Sequence, residues 1–125
     1  MTSDDLYELY RNGMRLLDEH DFHAAAVPLA RVRAVEPDKT SIREALGRAL
    51  FGSQRYAEAV AEFEAVVERA PTNDYALFCL GRSLQQLGRH REACKPLTLA
   101  CCLRPERADY RLYRDRARAS SARAA

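Results

Sequence analysis

Prolines at 37, 71 and 105 recur at a fixed interval of 34 residues, and five further columns keep step with them. Gly13, Gly47 and Gly81 share that interval, as do Leu16, Leu50 and Leu84, and then Ala25, Ala59 and Ala93. Leu29, Phe63 and Leu97 make another register, and Val32, Val66 and Ala100 one more. A gapless period of this length constrains the fold more tightly than composition can. Each copy must be one supersecondary unit that buries its apolar face only against its neighbours. The copies run over residues 6–39, 40–73 and 74–107, and a partial fourth starts near residue 108.

Each copy reads as two helices. In the second, Ile42, Leu46, Ala49 and Leu50 recur at helical spacing, Gly52-Ser53-Gln54-Arg55 interrupts, and Tyr56, Ala59, Val60, Phe63, Val66 and Val67 resume the pattern. Pro71 stops the second helix, and Thr72-Asn73-Asp74 offers capping oxygens for the next. The third copy repeats this, with its break at Leu87-Gly88-Arg89-His90. No stretch alternates as a strand would, so the expected class is all-α. A glycine inside a helix costs about 1 kcal/mol relative to alanine. Its recurrence at one register predicts a close approach there, with Ala25, Ala59 and Ala93 as the small partners and Leu16, Leu50, Leu84, Leu29, Phe63 and Leu97 filling the space between hairpins. Pro28 and Pro96 share one register inside second helices and are expected to kink them on the outer, convex side.

The 125 residues suffice for one domain with a continuous core, and 47% hydrophobic with 30% charged residues is a globular balance. No apolar run is long enough to span a membrane, and the acidic start Met1-Thr2-Ser3-Asp4-Asp5 does not read as a secretory signal. The expectation is a cytoplasmic protein without a membrane partner. The net charge of +2 is uneven: residues 1–74 carry 9 basic and 14 acidic side chains, residues 75–125 carry 11 and 4. That asymmetry fits a charged partner, head-to-tail association, or simply an arginine-biased surface. Cys79, Cys94, Cys101 and Cys102 form no C-x-x-C pair and lack convergent histidines, so they read as buried reduced thiols, with no metal and no cofactor.

Leu46-Gly47, Leu80-Gly81, Ala25, Ala59, Ala93, Phe63, Ala100 and the three periodic prolines together resemble the tetratricopeptide repeat over residues 6–107. The sequence departs from that pattern at Arg43, where a large apolar residue is expected, at Asn12 before Gly13, and at the leucines that fill every tyrosine position. Arg43 suggests a loosely packed start to the second repeat. The resemblance implies a right-handed α-solenoid of three stacked helix-turn-helix hairpins with a C-terminal solvating helix. That helix is expected over about 108–119, with 120–125 frayed. It also implies a concave groove lined by the first helix of each repeat, at repeat positions 2, 5, 9, 12 and 13. Those positions give Tyr7, Tyr10, Met14, Leu17 and Asp18, then Ser41, Glu44, Arg48, Phe51 and Gly52, then Tyr75, Phe78, Arg82, Gln85 and Gln86. The partial fourth repeat adds Asp109, Leu112 and Arg116.

Aromatic side chains clustered in a concavity mark a binding surface. The expected function is a protein-interaction module, adaptor or chaperone-like, that takes a peptide or partner segment with apolar anchors; Tyr10 and Phe78 are the expected anchors. Arg48 and Arg82 share one register and should attract an acidic group between them. The segment Tyr110-Arg111-Leu112-Tyr113 could instead fill the groove or cover the last repeat. Where members of the family clamp a chaperone tail by its terminal carboxylate, this chain has Tyr10, Met14, Ala45, Tyr75 and Cys79, which do not fit. A self-assembling scaffold, joined through solenoid edges and opposite charges, is the alternative, and weak homo-oligomerisation stays open with it. The arginines from Arg104 to Arg123 alternate with Glu106, Asp109 and Asp115 as a solvated face does, which disfavours nucleic acid. No catalytic residues are assigned: His20, His23 and His90 fall near inter-helix turns, away from the groove, and no nucleophile has a paired base.

Overall fold

The computed structural model describes residues 1–124, and side chains through residue 123, as seven α-helices with no strand among them. α1 (Ser3–Asp18) pairs with α2 (Phe22–Val35), α3 (Thr40–Gly52) with α4 (Tyr56–Arg69), and α5 (Asp74–Gln86) with α6 (His90–Leu103). α7 (Ala108–Ala124) packs on the last hairpin. The sequence reading stops this helix at 119; it continues to Ala124 because alanine and arginine favour helix. Residue 125, the end of the expected frayed tail, lies outside the described residues.

Local chemistry sets the helix ends. Thr2 and Asp5 form a reciprocal capping box at α1, and the Asn73 side chain accepts from the Ala76 N–H at 3.1 Å to open α5. The first helix of every hairpin ends in the same reversal. The N–H groups of Asp21, Arg55 and Arg89 reach back to the carbonyls of Leu16, Leu50 and Leu84 at 2.9, 2.8 and 2.9 Å. That bond needs a left-handed residue just before it, and His20, Gln54 and Gly88 supply it with φ of 61°, 64° and 76°.

Leu29, Phe63 and Leu97 are fully buried, and they explain the periodic glycines. A Cβ on Gly13, Gly47 or Gly81 would lie 2.7, 2.8 or 2.4 Å from Leu29, Phe63 or Leu97 respectively. The glycine thus makes room for a large side chain crossing from the second helix. Ala25, Ala59 and Ala93 are fully buried as well, while the atoms nearest the glycine positions belong to the larger side chains. Pro28 and Pro96 are also buried rather than convex, and Pro28 sits within contact range of the Gly13 position. Cys101 is buried and Cys79 and Cys94 are half-buried, whereas Cys102 is exposed, against the expectation for a core thiol.

Arg43 does not loosen the second repeat. Its Nε donates to the Pro37 carbonyl at 2.7 Å and its Nη1 to Glu62 Oε1 at 3.2 Å, while Arg33 Nη1 holds Glu62 Oε2 at 2.6 Å. Glu62 is only 4% exposed and occupies the register that proline fills in the other repeats, so α2, α3 and α4 are joined through one buried carboxylate.

The layers differ in spacing. The backbones of α1, α3, α5 and α7 approach one another in succession, whereas those of α2, α4 and α6 stay farther apart, α2 and α4 being bridged by the long side chains of Arg33 and Glu62. A stack that is tight in one layer and splayed in the other bends toward the tight one. The first helices therefore line the concave side.

Candidate functional site

On that side, α3 and α5 enclose a cavity of about 260 Å³ lined by Arg48, Phe51, Gly52, Tyr75, Phe78, Cys79 and Arg82, with Phe63 behind them and His20 and Phe22 from the first hairpin. Six of the residues assigned to the groove from sequence, Arg48, Phe51, Gly52, Tyr75, Phe78 and Arg82, thus meet at one place. His20 lines the cavity as well, which corrects its assignment away from the groove; the left-handed turn carries its ring onto Phe22, 5.5 Å between centroids.

The other assigned residues separate from this cluster. Tyr7, Tyr10 and Ser41 line a second, more open hollow of about 500 Å³ with Glu36, Lys39 and Ile42, where the α2–α3 turn passes the start of α1. Leu17 is 1% exposed and belongs to the core, and Met14 packs against the same core cluster. Leu17 lies one layer deeper than the groove assignment put it, whereas Met14 stays half-buried. Glu44 accepts from Asn73 Nδ2 at 3.0 Å, and Gln85 donates to the Tyr113 carbonyl at 2.8 Å, so each ties the trough to its neighbour. Leu112 is exposed on α7.

α7 covers the third repeat. Tyr110 is fully buried, stacks on Phe78 with centroids 4.6 Å apart, and donates its hydroxyl to Asp74 Oδ2 at 2.7 Å. Tyr113 meets Phe78 edge-on at 5.7 Å. Phe78 is therefore a packing residue on two sides, not the free anchor expected of it. Tyr113, absent from the groove assignment, is the equivalent of Ala45 and Cys79, two of the positions where the family's clamp would stand.

The chemistry of the cavity is apolar and cationic. Burial pushes the Cys79 thiol up to about 12 and the Tyr75 phenol, which faces it, also to about 12. Both stay protonated at neutral pH, so Cys79 offers no thiolate nucleophile. The Arg82 guanidinium lies 3.8 Å from the Tyr113 ring centroid and 5.9 Å from that of Phe51, and Arg116 lies 5.1 Å from Tyr113. Among the described residues no group of three or more His, Cys, Asp or Glu side chains could hold a metal ion, and no helix is long and apolar enough to cross a membrane.

A family model described as "Tetratricopeptide repeat" matches residues 16–77. No curated protein sequence matches the chain. Among solved structures, a MamA RS-1 double mutant superposes with a TM-score of 0.89 at 22% identity, over 96% of this chain and 67% of that one. MamA AMB-1 does so with 0.86 at 25% identity, over 98% and 68%. This chain thus spans about two thirds of the length of those MamA chains. The first TPR domain of Spaghetti, bound to the HSP90 peptide SRMEEVD, superposes with 0.86 at 16% identity over 98% of this chain and 97% of that one.

Proposed function

This chain belongs to the tetratricopeptide repeat family, and from that premise we propose that it is a protein-interaction module whose concave trough takes a peptide segment of a partner protein. One observation carries the reading: the cavity between α3 and α5 gathers Arg48, Phe51, Tyr75 and Arg82 from two successive repeats. A half-exposed apolar hollow rimmed by arginine and tyrosine has the composition of interface anchoring sites. The superposition on a domain bound to a peptide supports a peptide-binding use of the fold. The mode differs, because Tyr10, Met14, Ala45, Tyr75 and Cys79 stand where a terminal-carboxylate clamp would need amides and cations. The module is not an enzyme in this reading: Cys79 is held as the thiol, and His20 has no nucleophile to serve.

The reading is tested by selecting ligands from a random peptide library on the isolated chain and mapping them by NMR. Selected peptides should shift the amides of Phe51, Tyr75, Cys79 and Arg82, and Phe51→Ala should weaken them by at least tenfold. Shifts confined to the exposed convex residues Val27, Ala61 and Lys95 would overturn it.

A further inference from the structure

Arg48, Arg82 and Arg116 occupy the ninth position of successive repeats and run along the concave layer. Ten ion pairs neutralise other cations of the chain, but among the described residues none includes these three. Among the described residues no carboxylate around the trough pairs with them. Glu44 accepts from Asn73, Asp74 from the Tyr110 hydroxyl, Asp109 is bound by Arg107 at 2.7 Å and Asp115 by Arg114 at 3.0 Å. The three guanidinium groups therefore keep free donors, and the low-dielectric walls strengthen their attraction for an anion.

The arginines are also held in place. Arg82 and Arg116 both lie against the Tyr113 ring, and Gln85 Oε1 accepts from Arg82 Nη1 at 3.1 Å. A guanidinium packed on a ring uses its face, while its N–H donors point outward in its plane, where a carboxylate can take two of them at once. Between Arg48 and Arg82 lies the cavity of about 260 Å³, below the size of a small-molecule site but ample for one large apolar side chain.

We infer that the trough recognises an acidic stretch of a partner protein in which one large apolar side chain is flanked on both sides by Asp or Glu. The apolar group enters the cavity; the carboxylates on one side meet Arg48, and those on the other meet Arg82 and Arg116. This rests on the peptide-binding reading above and sharpens it to side-chain carboxylates, so a free chain terminus is not required. A single-stranded nucleic acid would also be drawn to three arginines, but it needs aromatic faces for its bases. Phe78 already stacks on Tyr110, and Tyr113 is already covered by guanidinium groups.

The test uses short labelled peptides with capped ends, measured by fluorescence anisotropy on the intact chain and mapped by NMR. The reference probe has a phenylalanine flanked by glutamates. Its relatives replace the glutamates by glutamine, replace the phenylalanine by serine, or leave the C-terminus free; an oligothymidine of similar length is the last probe. The reference peptide should bind in the trough, weaken with added salt, and be indifferent to the free C-terminus. Arg48→Gln and Arg116→Gln should each weaken it by about tenfold, as expected for one charge-assisted bond, with unchanged melting temperatures. Arg91→Gln, on exposed α6 surface, should leave it unchanged. Equal binding of the glutamine peptide in the trough would overturn the acidic assignment and leave the peptide-binding reading standing. Tighter binding of oligothymidine would overturn it in favour of nucleic acid. Failure of every peptide to perturb trough residues would remove both readings.

Discussion

Gly81 and Gln54 are positions where backbone geometry and residue identity can be played against each other. Alanine at 81 gains about 1 kcal/mol of helix propensity. Its methyl would stand 2.4 Å from Leu97 Cγ, in a fully buried leucine that cannot swing away. Overpacking of that kind costs about 1–3 kcal/mol, so Gly81→Ala should lower stability in a urea titration despite the better helix former. Gln54 is the reverse case. It holds φ 64° at the turn where the third repeat has Gly88, and the side chain is exposed. Gln54→Gly should raise stability by about 0.5 kcal/mol, the relief of left-handed strain outweighing the added freedom of the unfolded chain. The period revealed that a glycine column existed but not which side chain faced it, because spacing along one helix identifies a face and says nothing of what crosses it. The turn geometry was visible only at Gly88; His20 and Gln54 carry no glycine to announce it.

Among elements, α7 has the most to lose from one atom. Its Tyr110 hydroxyl is bonded to Asp74, and burial followed by that bond raises the phenol well above its ordinary value. A raised phenol pKa means that the folded state holds its proton longer than the unfolded state does. The stabilisation is complete below about pH 10 and is lost as pH rises through the folded value. Tyr110→Phe should cost about 1.5 kcal/mol at neutral pH and flatten the alkaline limb of the stability curve, as followed by circular dichroism. Glu62→Gln tests the link between the first two hairpins. It removes the buried charge and one of the two acceptor oxygens but leaves arginines that reach water, so a loss of about 2 kcal/mol is expected in the same assay. Both contacts were hidden for one reason. Arg43 and Glu62 each break the repeat pattern, and two departures can compensate each other only once the fold places them side by side. The covering role of the Tyr110 segment was present in the sequence as an alternative, and its third and sixth repeat positions, which are inward-facing columns, are what decide it.

For the whole molecule, the two end faces matter as much as the trough. Positions that turn inward in α3 and α5, Ile42, Ala45 and Ala49 or Ala76, Cys79 and Ser83, become exposed Glu8, Arg11 and Arg15 in α1. At the other end, the columns of Gly81 and Leu84 become exposed Asp115 and Arg118 in α7. Stacking copies end to end would bury charges without the apolar contact that holds the hairpins together. Sedimentation should therefore show one monomeric species at both low and high salt; a salt-sensitive dimer would restore the head-to-tail scaffold. The all-helical stack and its period were readable from residue spacing alone. The site was readable only in part, because the family's groove positions do not tell a side chain on the wall from one such as Leu17 that has sunk beneath it.

Because the backbones of α2, α4 and α6 are spaced more widely than those of α1, α3, α5 and α7, the molecule is built like a hand fan hinged along its inner edge. Spreading it between the first and second hairpins must break the Arg33–Glu62 pair, whereas among the described residues no ion pair joins α4 to α6 and that gap opens with less work. An incoming ligand can set the curvature by its own length, and pulling on the two ends would be resisted elastically before any hairpin opens.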